Sequence, residues 1–158
     1  MKNSANESSE KLKILVAEEN QEACSALEEL LKVLGHSVMV TQDGEDALNM
    51  FHETIPDLVF SGLTLPKLGG MELLREVKSG SGKTLFVMIC PMSDPEKIQQ
   101  ALIQGAADFL TRPIQSSELI RSHLLRLKLR SPILRYARVA SWVFGCSSTR
   151  SWNFFSAS

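Results

Sequence analysis

The chain has 158 residues, 44% hydrophobic and 22% charged, enough for one domain with a sizeable core. Its formal charge of −1 conceals a division: residues 1–118 carry 10 Lys+Arg against 18 Asp+Glu, a balance of −8, while residues 119–158 carry 7 Lys+Arg and no acid. The odd, widely spaced cysteines (Cys24, Cys90, Cys146) argue against a disulfide framework or zinc site, and no apolar run reaches bilayer-spanning length. A reduced, cytoplasmic protein is therefore expected.

Residues 1–10 are polar, neither a signal-peptide core nor a folding segment, and are expected to be a disordered lead-in. Ile14 to Ala17 is a short apolar run closed by Glu18-Glu19, the pattern of a strand buried on both faces. From Glu22 to Leu34 apolar residues recur at helical spacing, and Gly35 supplies a stop. Val38 to Val40 reads as a second strand and Gly44 to Phe51 as a second helix. Leu58 to Phe60 and Gly70 to Val77 repeat the pair. Leu85 to Ile89 follows as strand four, and Pro95 opens a fourth helix that runs to Gln104 before Gly105. Phe109-Leu110 is a short fifth strand, and Ser116 to Leu129 a fifth helix capped by Ser116.

This alternation predicts an α/β fold: a doubly wound, five-stranded parallel sheet with right-handed crossovers and helices on both faces. Function in such sheets gathers at the carboxyl ends of the strands. Those ends carry Glu18-Glu19, then Ser61-Gly62-Leu63-Thr64-Leu65-Pro66, then Cys90-Pro91, then Thr111-Arg112-Pro113. Set in PDLVFSGLTLPKLGG from Pro56 and GAADFLTRPI from Gly105, they resemble the receiver domain of bacterial response regulators. The resemblance runs from about Lys11 to about Leu129, framed by Pro56-Asp57, Leu65-Pro66, Gly70, Gly105-Ala106 and Pro113. It implies a flavodoxin-like (βα)5 fold for residues 11–130 and a place in two-component phosphorelay signalling.

In that family an aspartate ending strand three takes a phosphoryl group from a phosphohistidine with the help of Mg²⁺. A Thr/Ser hydroxyl and a Lys ammonium then hold it. Four positions depart from the pattern: Glu18-Glu19 replaces an Asp-rich pair, Gly62 stands at the acceptor, Cys90 at the hydroxyl and Arg112 at the lysine. Glycine has no carboxylate, so no acyl phosphate can form at residue 62. Ser61 should face away from the pocket, and Asp57 lies roughly 16 Å back along the strand at ~3.3 Å per residue. Mg²⁺ demands near-ideal geometry, so Glu18 and Glu19 without a third carboxylate are expected to hold it weakly or not at all. The alternative for both is a pair of solvated strand-end acids drawn to Arg112. Cys90 reads as a small buried hydrophobe rather than a redox switch. Phe109 matches the family's switch aromatic; its plainer reading is core.

Residues 131–158 form a basic tail. Pro132 breaks the preceding helix, and residues 133–144 could make a short amphipathic helix for a partner groove or an anionic membrane. No DNA-binding helix-turn-helix fits the remaining residues. No Ser/His/Asp set, phosphate-cradling glycine loop or metal-ligand spacing is present, and His36, His52 and His123 lie on or beside helices, so an enzyme is not expected. The sequence thus points to a degenerate receiver that binds a protein, a histidine kinase or another signalling protein, without phosphorylation. Two alternatives stay open: a receiver phosphorylated at an atypical acceptor such as Thr64 or Ser61, and a scaffold whose basic tail binds membrane or nucleic acid.

Overall fold

The computed structural model describes residues 11–91 and 93–114. Their elements run β1 (Lys13–Ala17), α1 (Gln21–Val33), β2 (Ser37–Thr41), α2 (Gly44–Thr54), β3 (Leu58–Gly62), α3 (Gly70–Gly80), β4 (Leu85–Pro91), α4 (Pro95–Ile103) and β5 (Asp108–Arg112). The sheet is wholly parallel, in the order β2-β1-β3-β4-β5. The expected lead-in, fifth helix and basic tail lie outside the described residues.

Side-chain alternation sorts the strands onto two cores. Leu15, Ala17, Val59, Phe86, Met88 and Cys90 face α2, α3 and α4, where Phe51, Leu73, Leu74, Val77 and Ile98 complete the cluster. Ile14, Val16, Leu58, Phe60, Val87, Ile89 and Leu110 face the other way, against Cys24, Leu27 and Leu31 of α1. The sheet is therefore doubly wound, as near-continuous apolar strands require.

The helix boundaries follow from local chemistry. Asn20 caps α1 by accepting from the Ala23 N–H at 2.9 Å, and the Asp43 carboxylate caps α2 through the Glu45 N–H at 2.8 Å. Gly35 and Gly105, read as stops, follow the ends of α1 and α4 with φ of 94° and 108°. The end of α2 is different: Ile55, with φ 44°, takes the left-handed position that glycine usually fills, and α2 runs to Thr54 rather than to Phe51. Strands also run further than their apolar centres. β3 continues to Gly62, β4 to Pro91 and β5 to Arg112, because the ladder outlasts the apolar run at the end where the site lies.

His36 ties the sheet's far edge together. It is 5% exposed, and its Nδ1 accepts the Leu12 N–H at 3.2 Å. Burial lowers its pKa below the ordinary 6.5. The unfolded chain thus binds the proton more readily than the fold does. The stability from neutral His36 is complete above about pH 6.5 and is lost as pH falls toward the lowered native value, at up to about 1.4 kcal/mol per pH unit. Urea unfolding between pH 7.5 and 5.5 should show this decline, and His36→Asn should flatten it.

Candidate functional site

The carboxyl ends of β1, β3 and β5 bring three of the singled-out residues together. Alternation alone places them: Glu18 continues the parity of Ile14 and Val16, Gly62 that of Leu58 and Phe60, and Arg112 that of Leu110. The β1–β3 register pairs Ala17 with Ser61, so the next step sets Glu18 beside Gly62.

Glu18 is 0% exposed. Its Oε1 accepts from Arg112 Nη2 in a close ion pair, and also from the Asn20 N–H at 3.0 Å. One carboxylate oxygen thus joins the end of β5 to the residue that caps α1. The Arg112 side chain is 32% exposed, so the pair is sunk on the acid's side and open on the base's. Among the described residues, Glu18 Oε2 and Arg112 Nε have no hydrogen-bond partner. A Cβ placed on Gly62 would lie 3.2 Å from Glu18 Oε2 and 3.6 Å from Arg112 Nη2.

Glu19 parts company with Glu18: it is exposed. The acidic pair is one buried, ion-paired carboxylate and one solvated one, so the reading of both as solvated holds only for Glu19. Ser61, on the opposite face from Gly62, is buried with its hydroxyl donating to the Gly62 carbonyl at 3.0 Å, and Thr64 is exposed beyond the strand.

A family model for the response regulator receiver domain matches residues 14–123. The chain belongs to that family. Similar curated proteins include a probable transcriptional regulator, ycf27, of Guillardia theta, 31% identical over 109 residues, covering 69% of this chain and 42% of that protein. The transcriptional regulatory protein DltR of Streptococcus agalactiae serotype III (strain NEM316) is 30% identical over 120 residues, covering 76% of this chain and 52% of DltR. The chain therefore spans about half the length of these relatives. Among solved structures, the receiver domain of NtrX from Brucella abortus superposes with a TM-score of 0.69 at 28% identity, covering 73% of this chain and 98% of that one. The BeF3-activated DrrB receiver domain does so with a TM-score of 0.69 at 26% identity, covering 75% and 99%.

Mg²⁺, the family's cation, would need several oxygen donors in near-ideal geometry from these side chains. They do not fit it. Among the described residues no group of three or more His, Cys, Asp or Glu side chains is placed to hold a metal ion. Glu18 turns its carboxylate to Arg112, Glu19 stands in solvent, and residue 62 has no side chain to add.

The remaining two positions belong to the α2-α3-α4 core. Cys90 is buried in that cluster, and half-buried Phe109 packs against it. Burial above all, with the Asp94 charge, pushes the Cys90 thiol up to about 12 against a small opposing pull from Arg112. A thiol at that value is protonated near neutral pH and is a poor nucleophile. Cys90 also donates weakly where a hydroxyl would hold a phosphoryl oxygen.

Proposed function

We propose that this receiver acts in two-component signalling as a protein-interaction module that does not use phosphorylation. The observation that carries the reading is at residue 62: the acceptor position has no side chain, and an ion pair stands within van der Waals reach of where one would begin. In this reading Glu18, Gly62, Cys90 and Arg112 are the remains of a phosphorylation pocket, Glu19 is its solvated rim, and Phe109 is core without a covalent trigger. The atypical-acceptor reading gains no support, because Ser61 is committed to a backbone carbonyl and Thr64 lies outside the strand end. The protein works in the cytoplasm, without a cofactor and without catalysis. Its partner is a protein, either a histidine kinase or another signalling protein; the basic segment after residue 118 adds attraction for an acidic surface such as an anionic membrane. The description of its relatives as transcriptional regulators sets this function beside gene control, with no specific DNA contact assigned to residues 11–114.

Intact-mass analysis after incubation with acetyl phosphate and Mg²⁺ tests this reading. The natural chain should keep its mass. A gain of one phosphoryl group would overturn it, as an acyl phosphate if hydroxylamine removes the group and as a Ser or Thr ester if it does not.

A further inference from the structure

Glycine at residue 62 is not demanded by the backbone. Among the described residues the positive-φ glycines are Gly35 and Gly105; Gly62 sits in β3 with strand geometry that any residue adopts. A glycine within a strand weakens it, since it brings entropy to be lost and no side chain to pack. Space is the reason for it here. β1 and β5 are separated in the sheet by β3 and β4, yet Glu18 and Arg112, 94 residues apart in sequence, meet across the end of β3. They pass directly over Gly62, with Glu18 Oε2 3.2 Å and Arg112 Nη2 3.6 Å from its Cβ position. A Cβ there would press on the pair, and a longer side chain would have to displace it.

Two further departures from the family pattern have the same effect. Glu is one methylene longer than Asp, and Arg reaches further than Lys and ends in a planar fork suited to a carboxylate. Longer side chains on β1 and β5 meet over a strand that has been cleared of its own.

We propose that Glu18, Gly62 and Arg112 are one interdependent unit, a built-in clasp whose guanidinium supplies the positive charge at the strand ends and holds β1, β3, β5 and the start of α1 in a single arrangement. The inference rests on the reading of the pocket as degenerate and adds its cause: the pocket is occupied by its own side chains as well as lacking an acceptor. Restoring an aspartate at residue 62 alone therefore meets both the Glu18 carboxylate and the Arg112 guanidinium, and does not rebuild a working pocket.

The clasp is tested on the full chain by the cost of Gly62→Ala in two backgrounds. In the natural background the added methyl should lower the folding equilibrium constant about tenfold, within the range of coupling between residues in contact. In the Glu18→Ala/Arg112→Ala background the same substitution should be neutral or stabilising. An equal cost in both backgrounds would overturn the clasp. With acetyl phosphate and Mg²⁺, Gly62→Asp alone should stay unmodified, whereas Glu18→Asp/Gly62→Asp/Arg112→Lys should gain one phosphoryl group. Modification of Gly62→Asp as fast as the triple variant would also overturn the clasp. Neither result bears on the proposed function, which fails if the natural chain itself takes up phosphate.

Discussion

Arg112→Ala should destabilise the fold by about 3 kcal/mol in urea unfolding. Removing one partner of a buried pair costs about 3–5 kcal/mol, because the remaining charge is left without compensation in a poorly polarisable site. Glu18 meets that condition, being 0% exposed and holding Arg112 through Oε1. The lower end of the range applies because the Arg112 side chain is 32% exposed and water can enter as it leaves. The Asn20 N–H gives Glu18 one remaining donor at 3.0 Å, too little to satisfy two carboxylate oxygens. Adding Glu18→Leu to Arg112→Ala should recover part of the loss, since the pair's joint removal leaves no buried charge. A cost of Arg112→Ala below about 0.5 kcal/mol, the range of an ordinary surface substitution, would show that the pair holds nothing.

Gly70→Ala should be at least as damaging, at about 3 kcal/mol or more, beyond the usual cost of overpacking. The added Cβ would lie 2.1 Å from the Gly62 carbonyl oxygen and 3.0 Å from both the Gly62 carbonyl carbon and Leu63 Cα. These are backbone atoms of the last residue of β3 and of the residue after it, so they cannot rotate away as a side-chain tip would, and the start of α3 must move instead. The Gly70 N–H donates to the Leu63 carbonyl at 3.0 Å, and that bond would go with the movement. Alanine's better helix propensity, worth about 1 kcal/mol, does not offset this. Gly82→Ala is the control: nothing lies within 4 Å of its Cβ position, and its thermal midpoint should change little. A Gly70→Ala protein with an unchanged midpoint would mean that α3 is not seated on the end of β3.

The helices and strand centres are legible in the sequence because burial imposes periods of 3.6 and 2 on it. Glu22 to Leu34 and Ile14 to Ala17 show these periods directly, and the paired Gly35 and Gly105 mark two helix ends. Legibility fails at Phe60, Ile89 and Leu110, where the apolar runs stop although the strands continue to Gly62, Pro91 and Arg112. Those last residues face a site rather than a core, so hydrophobicity no longer reports them. The end of α2 is illegible for another reason, since Ile55 does the work of a glycine.

The identities of the pocket residues can be read directly, and the family pattern assigns each a position. Their relation to one another is harder to read. Glu18 and Glu19 look alike as a pair, yet strand parity turns the first into the fold and the second into water. That same parity, extended one residue past Ala17 and set against Leu58-Phe60-Gly62 and Leu110-Arg112, was a usable signal for the meeting of Glu18, Gly62 and Arg112. Its distances and the full burial of Glu18 depend on where the loop after β1 goes, which periodicity does not encode. The role of His36 is illegible on similar grounds: its bond to the Leu12 backbone comes from β1 and β2 lying side by side.

The most direct test of whether the strand ends respond to a phosphoryl group is the amide nitrogen–proton spectrum of the natural chain before and after Mg²⁺ with beryllofluoride, a phosphoryl mimic. With phosphorylation playing no part, the resonances of Glu18, Gly62, Leu63, Cys90, Phe109 and Arg112 should stay where they are. Saturable shifts at those residues would contradict it, by showing that the strand ends still bind the cation and the mimic and still move in response.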